Sequence, residues 1–455
     1  MTTSSPGRPS IEALEAAVAA GEIDTVLVAV ADLQGRLQGK RVDATWFVDE
    51  VVANGTEGCG YVLASDVDMS TVDGFALASW DVGYGDLAFR PDLSTLRHVP
   101  WHSRTALVVC DVETTGGDPV AVSPRQVLQH QAARLATHGW TALAATELEF
   151  LVFEETYERA WDAGYRNLTP ANRYNVDYSL LGTSRIEPLL GRIRREMRGA
   201  GMQVESAKGE CHPGQHEITF RYAGLVDKAD EHCLYKLGAK EIAAQEGCSL
   251  TFMAKFDERE GNSCHVHLSL RDDDGAPVFA GDHEHGFSAP FEHFLAGLVA
   301  YARECALLFA PNVNSYKRFV EGSFAPTSLR WGVDNRTCAF RVVGHGPSLR
   351  VEARIPGGDV NPYLALAAMV ATGLRGVEEG LPLPEGCRGN AYVGDAPRMP
   401  TSLDEASDLL DGSAMARSAF GDEVVDHVVH ASHVERAAFG SAVTDWERTR
   451  GFERL

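Results

Sequence analysis

No stretch of this 455-residue chain approaches the ~20 consecutive apolar residues that cross a bilayer, so no membrane span is expected. The first ten residues also lack the apolar run of a secretory leader. Positive charge is scarce: 41 Lys and Arg stand against 64 Asp and Glu, a formal net charge of −23. That balance repels nucleic acid and anionic membrane, so neither is expected as a partner. A phosphate-bearing substrate would then need a local arginine cluster or a bound cation. The 9 cysteines form no C-x-x-C pair and read as reduced thiols of a cytoplasmic protein. No repeat or low-complexity tract is visible. Hydrophobic content of 44% is ordinary for a globular chain, and the length exceeds the usual limit of a single core.

The punctuation of the chain predicts two domains. Ser10 can cap a helix over residues 11–20 that Gly21 ends, and apolar residues 25–31 before the turn at 33–37 predict a strand and hairpin. Short strands and turns continue to about residue 105. The breaker-rich segment 113–119 marks a boundary, giving a small α+β domain over 1–112 and a larger one over 113–455. Past it, Ser123 caps a helix with Pro124 in its first turn and Gly139 as its stop. Residues 204–218 read as two strand ends joined by a Pro-Gly turn. Residues 251–256 and 264–270 read as a hairpin around the charged loop 257–262.

Side chains alternate along a strand, and this rule makes two segments informative. In Thr146-Glu-Leu-Glu-Phe150, Glu147 and Glu149 project together while Leu148, Phe150 and Val152 face the other way. In Cys264-His-Val-His-Leu-Ser-Leu270, His265, His267 and Ser269 share a face. Glu210, Glu217 and Glu352 enlarge the acidic set. Oxygen-rich ligation with one imidazole suits Mg²⁺ or Mn²⁺ better than zinc. A His-x-His strand also occurs in metal-dependent amidohydrolases, but there it comes early in the chain, and here it falls past the midpoint. A third block runs from Asn312-Val-Asn-Ser-Tyr-Lys-Arg318 through Arg336 and Arg341 to Arg350 and Arg354. It concentrates guanidinium forks, which grip carboxylate and phosphate oxygens. Arginines beside a metal–carboxylate cluster are what phosphoryl transfer requires.

These blocks, in this order, resemble the glutamine synthetase family over nearly the whole chain. Thr-Glu-Leu-Glu-Phe, Pro-Gly-Gln-His-Glu, His-Val-His-Leu-Ser, Asn-Ser-Tyr-Lys-Arg, Asn-Arg-Thr and Gly-Gly-Asp-Val-Asn-Pro-Tyr-Leu-Ala carry the likeness. The resemblance implies an α+β fold, with a small N-terminal β-grasp-like domain and a large catalytic domain built on a curved antiparallel sheet. It implies ATP as co-substrate, two or three Mg²⁺ or Mn²⁺ ions per active site, and neighbouring subunits in a homo-oligomeric ring, usually a dodecamer. Matched motif by motif, Glu149, Glu210 and Glu217 would hold one metal, and Glu147, His265 and Glu352 the other. Glu205, Tyr222, His267, Ser269, Arg341 and Arg350 would surround ATP. Arg318 and Arg354 would grip the glutamate carboxylates beside the Gly261 backbone, and Arg336 would neutralise the phosphoryl group in transit. The implied chemistry is attack of the γ-carboxylate on ATP to give γ-glutamyl phosphate, which an amine displaces.

Departures from the family pattern bear on the amine. Ammonia-using members carry a glutamate just before Ala-Pro in a flap over the site, and this chain has Phe324 there, with Glu321 three residues earlier. An aromatic ring in place of a carboxylate favours an alkylamine, so the chain resembles the γ-glutamylamine synthetase branch, with ammonia-dependent glutamine synthesis as the competing reading. A metal-dependent amidohydrolase and a catalytically silent relative are more distant alternatives. The cross-interface aspartate loop of the family is missing, and Asp66 or Asp68 is the candidate replacement. Tyr392, near the position of the family's adenylylated tyrosine, is expected to be an ordinary surface side chain.

Overall fold

The computed structural model describes residues 7–455; the start of the polar amino-terminal stretch, read above for its lack of an apolar leader, lies outside them. Ser10 accepts a hydrogen bond from the Ala13 N–H and opens the helix Ile11–Ala19. Strand Thr25–Ala31 then pairs antiparallel with Leu37–Asp43, as the turn signal predicts. It also pairs parallel with Thr105–Thr114, which completes a six-stranded sheet with Asp86–Pro91, Thr56–Cys59 and Arg97–His98.

A second, nine-stranded sheet carries the candidate chemistry. At its centre is the long strand Trp140–Phe153. One edge of that strand receives Cys264–Asp272, and the other receives Gln215–Phe220, which turns back on Val204–Gly209. Arg350–Ala353 and Phe340–Val343 extend the sheet antiparallel beyond the histidine strand. The outermost strand, Trp331–Val333, pairs parallel with Phe340–Val343, so the sheet is antiparallel except at that edge. Leu148, Phe150 and Val152 point into the continuous core beneath the helices Pro124–Thr137 and Leu225–Gln245, as alternation requires.

Two local expectations are corrected. Segments 251–256 and 264–270 do not form a hairpin: Ser249–Thr251 and Cys264–Asp272 pair end to end along the same edge of the central strand. Between them the Asn262 side chain bonds the carbonyls of Thr251 and Met253, turning the backbone out into a loop. Ser123 occupies the N-cap of helix Pro124–Thr137, but its side chain makes no capping bond.

The two sheets are joined by buried polar bonds. Arg125 reaches Asp92 and Asp111 on one side and Asp230 on the other. Asn361 caps helix Pro362–Glu379 with its oxygen and donates through Nδ2 to the carbonyls of Asp32 and Leu33 in the first hairpin turn. His427, on helix Asp422–Ser441, bonds the Leu63 carbonyl at 2.8 Å. Among the described residues no helix is long and apolar enough to cross a membrane.

Candidate active site

Sheet register places the acidic and imidazole groups side by side. Glu149 stands opposite Glu217, and Glu147 opposite Thr219, across one edge of the central strand. Across the other edge Glu147 faces His265. His267 in turn faces Glu352, which faces Arg341. One row of alternate side chains thus runs over five strands, and the turn after Gly209 adds Glu210 to its end.

Two clusters form within this row. Glu149, Glu210 and Glu217 bring carboxylate oxygens within 4.8 Å of one another, the grouping expected from the sequence. The second compact triad is Glu147, His267 and Glu352, whereas the expected one contained His265. Both imidazoles share one strand face and both reach Glu147. His265 Nδ1 lies 3.4 Å from Glu147 and 3.6 Å from Glu352, and His267 Nε2 lies 3.0 Å from Glu147 but outside hydrogen-bonding alignment. Nε2 of each histidine is buried without a hydrogen bond. Arg350 Nε donates to His267 Nδ1 at 3.3 Å, which leaves the opposite nitrogen aimed at the carboxylates.

Charge is concentrated here in a way that calls for a cation. Burial raises the Glu210 carboxyl to about 8, with the Glu149 charge adding to it despite the Lys208 ammonium 2.5 Å away. Glu217 is pushed well above the carboxylate range by burial and by the charges of Glu147, Glu149 and Glu210. At Glu147 burial acts in the same direction, but the close approach of His265 and His267 and their charges outweigh it and hold the carboxyl low. Crowded carboxylates and two orphaned imidazole nitrogens are a donor set suited to a hard divalent ion. The residues present therefore fit the metal that the resemblance implies.

The expected nucleotide residues divide. Glu205, Tyr222, His267, Ser269 and Arg350 line one cavity of about 630 Å³ together with Glu147. Arg341 does not line it, because its Nη1 bonds Glu352 at 2.9 Å and its Nε bonds Asp334 at 3.0 Å.

Arg318 is buried, donating to the carbonyls of Ile355 and Arg354 and to Ser263 Oγ. Burial lowers its guanidinium to about 10. Gly261 abuts it: a Cβ there would sit 3.1 Å from Arg318 Cγ and 2.3 Å from the Ala254 carbonyl. Arg354 bonds Glu352 through Nη1 and the Arg336 carbonyl through Nε, so it positions the turn on which Arg336 stands. The Arg336 side chain is exposed and lines a different cavity, of about 840 Å³, with Trp331 and Arg388.

On the flap, Phe324 is 55% exposed and adopts φ +60°, a left-handed conformation unusual for a bulky residue. Glu321 pairs with Arg398 at 3.2 Å. Asp66 and Asp68 lie beside Glu435, whose carboxyl is raised by burial and by their charges. Tyr392 is not a surface side chain. It is 7% exposed, and its hydroxyl is buried without a hydrogen bond.

Sequence reasoning missed residues that hold the row in place. Gln215 Nε2 contacts Glu149 Oε2, the Gly261 carbonyl and Asn262 Oδ1 at 2.9–3.0 Å. Lys208 bridges Glu210 and Asp177. The Pro-Gly-Gln-His-Glu motif contained Gln215, but a neutral amide gives no charge signal of its own.

Comparisons with known proteins agree with this geometry. The family described as "Glutamine synthetase, catalytic domain" matches residues 121–451. A gamma-glutamylethanolamide synthetase, GlnA4 of Streptomyces coelicolor, is 61% identical over 98% of this chain and 96% of its own length. A glutamate–isopropylamine ligase from Pseudomonas sp. is 39% identical over 94% and 95% of the two chains. Among solved structures, a GmaS/ADP complex superposes with a TM-score of 0.85 at 28% identity, covering 97% of this chain and 99% of that one.

Proposed function

The chain belongs to the glutamine synthetase family, and from that membership we propose that it is an ATP-dependent ligase joining the γ-carboxylate of glutamate to a small organic amine, ethanolamine first. Members of this family are carbon–nitrogen ligases that use ATP and divalent metal ions. The observation that carries the proposed chemistry is the row of Glu149, Glu147, His265, His267 and Glu352 beside a cavity of about 630 Å³. The amine class is supported by Phe324, which stands where a carboxylate would enclose ammonium, and by Glu321 being paired with Arg398. Likeness to the ethanolamide and isopropylamine ligases points the same way. An amidohydrolase reading finds no support, because the His-x-His strand is an interior strand of a mainly antiparallel open sheet.

In this reading Glu149, Glu210 and Glu217 hold one Mg²⁺ or Mn²⁺, and Glu147 and Glu352 hold a second with His265 or His267. Such ions, when bound, supply positive charge against the phosphate oxygens of ATP. Glu205, Tyr222, Ser269 and Arg350 line the nucleotide cavity. Arg318 and Arg354 flank the glutamate position against Gly261, each already oriented by backbone carbonyls. Arg336, exposed at the surface of its cavity, neutralises the phosphoryl group as the γ-carboxylate oxygen bonds phosphorus and ADP leaves. The amine nitrogen then attacks the acyl carbon, losing a proton and expelling phosphate.

We take residues 1–112 and 113–455 as the two domains, although the strand Thr105–Thr114 of the first sheet runs two residues past that boundary. A ring of subunits is supported by large apolar side chains left exposed on this single chain, among them Leu180, Trp161 and Phe452. All 9 cysteines are free thiols, which fits a cytoplasmic location. The test of function is phosphate release from ATP with glutamate and each of ethanolamine, isopropylamine, putrescine and ammonium. An organic amine should turn over fastest. Fastest turnover with ammonium would replace this reading with glutamine synthesis.

A further inference from the structure

His212 sits in the Pro-Gly turn that carries Glu210, yet none of the proposed chemistry uses it. It is 1% exposed. Nδ1 lies 2.8 Å from the Pro213 carbonyl, and Nε2 lies 3.0 Å from Asp257 Oδ1, so both ring nitrogens face oxygen acceptors. Asp257 belongs to the loop that precedes the histidine strand. That loop is fastened at its start, where Lys255 exchanges backbone hydrogen bonds with the Asn314 side chain. It is fastened again at its end by Asn262. Between these points residues 257–260 are exposed, and the Asp257 carboxylate is their one side-chain tie to the sheet among the described residues. The same Oδ1 also accepts the Arg259 N–H at 2.8 Å, so one carboxylate both turns the loop and anchors it.

The loop leads directly into the site. Gly261 presses against Arg318, the Ser263 N–H donates to Glu149 at 2.7 Å, and the Ser263 hydroxyl accepts from Arg318. We propose that His212 and Asp257 form a latch that holds the 257–261 loop against the metal-site turn, so that the Gly261 backbone and Arg318 stay aligned for the carboxylates of the amino-acid substrate. His212 is thus a positioning residue that acts through the loop. The assignment of that substrate as glutamate rests on the proposed function above.

Asp257 is exposed enough to be replaced without leaving a cavity, so its variants carry the test on the full-length, metal-loaded enzyme. Asp257→Ala should raise KM for glutamate by roughly 2–12-fold, the worth of one hydrogen bond, while KM for ATP stays within about twofold. Asp257→Asn keeps an oxygen facing His212 and should restore KM for glutamate to within about twofold of wild type. The double variant His212→Ala/Asp257→Ala should be no worse than Asp257→Ala alone, as expected of partners in one interaction. An unchanged KM for glutamate in Asp257→Ala, an equal rise for ATP, or failure of Asp257→Asn to rescue would overturn the latch. Amide hydrogen exchange of residues 257–260 reads the latch without turnover and should speed up in Asp257→Ala. If wild type ligates no glutamate but this exchange still responds, the functional reading fails and the latch stands. Unaltered exchange removes the latch whatever the activity.

Discussion

Replacing Gln215 by methionine would keep the length of the side chain while removing its amide donors and the Oε1 that accepts the His212 N–H at 3.1 Å. Gln215 is 2% exposed, and its amide nitrogen serves Glu149 Oε2 at 3.0 Å and the Gly261 carbonyl at 2.9 Å. After the change Glu149 Oε2 retains only the Ser263 N–H among its hydrogen bonds. A hydrogen bond to a charged acceptor is worth ~1.5–3 kcal/mol and a neutral one ~0.5–1.5, so losing the Glu149 bond and the two neutral ones, to the Gly261 carbonyl and from the His212 N–H, should cost roughly 2.5–6 kcal/mol. The Asn262 contact shares the same two protons and adds little. Urea unfolding of the metal-free protein should show a lower midpoint at unchanged slope. Saturating Mn²⁺ should recover part of the deficit, because a cation beside Glu149 takes over from the lost donor and binds only the folded chain. An unchanged midpoint, or a deficit that Mn²⁺ leaves intact, would refute the claim that Gln215 orients a metal-binding carboxylate.

Phe324→Glu should shift the ratio of kcat/KM for ethanolamine over ammonium toward ammonium by ~2–30-fold, the range given by a cation–π contact of ~0.5–2 kcal/mol; a constant ratio across the panel would remove the ring from amine selection. Arg336→Ala should lower kcat by at least ~10² with no change in thermal stability, since the side chain is exposed, and this is read by turnover beside a melting curve. For pH, the Glu210 carboxyl is raised to about 8 in the folded protein, so between the ordinary carboxylate range and that value the folded state holds a proton that the unfolded state has released. Metal-free protein should therefore lose stability as pH rises from 5 to 8, and Mn²⁺ binding at pH 7 should release protons, measurable by calorimetry in buffers of different ionisation enthalpy.

The parts of the site legible in the sequence were those that strand alternation governs. Glu147 and Glu149 share a face, as do His265 and His267, and these spacings are local. The Glu149, Glu210 and Glu217 grouping followed from the resemblance, and the register of Glu149 against Glu217 is its structural basis. Pairing partners were harder to read. Residues 249–251 and 264–272 are both strands, but nothing in their periodicity tells that a third strand receives them end to end. Nor does local sequence report burial of a single polar side chain: Tyr392 sits in a polar, glycine-flanked stretch and is nevertheless buried. His212 meets Asp257 across 45 residues, and Gln215 meets Glu149 across 66. Such contacts are set by how the sheet brings distant turns together.

The central claim is that carboxylates from separate strands converge to hold divalent metal. Anomalous diffraction from crystals soaked in Mn²⁺ and a non-hydrolysable ATP analogue tests it most directly, on wild type and on Glu217→Gln. The account predicts one peak among Glu149, Glu210 and Glu217, a second beside Glu147 and Glu352, and loss of the first alone in the variant. Wild-type crystals with no manganese at either cluster, or a variant that keeps both peaks at full occupancy, would contradict it.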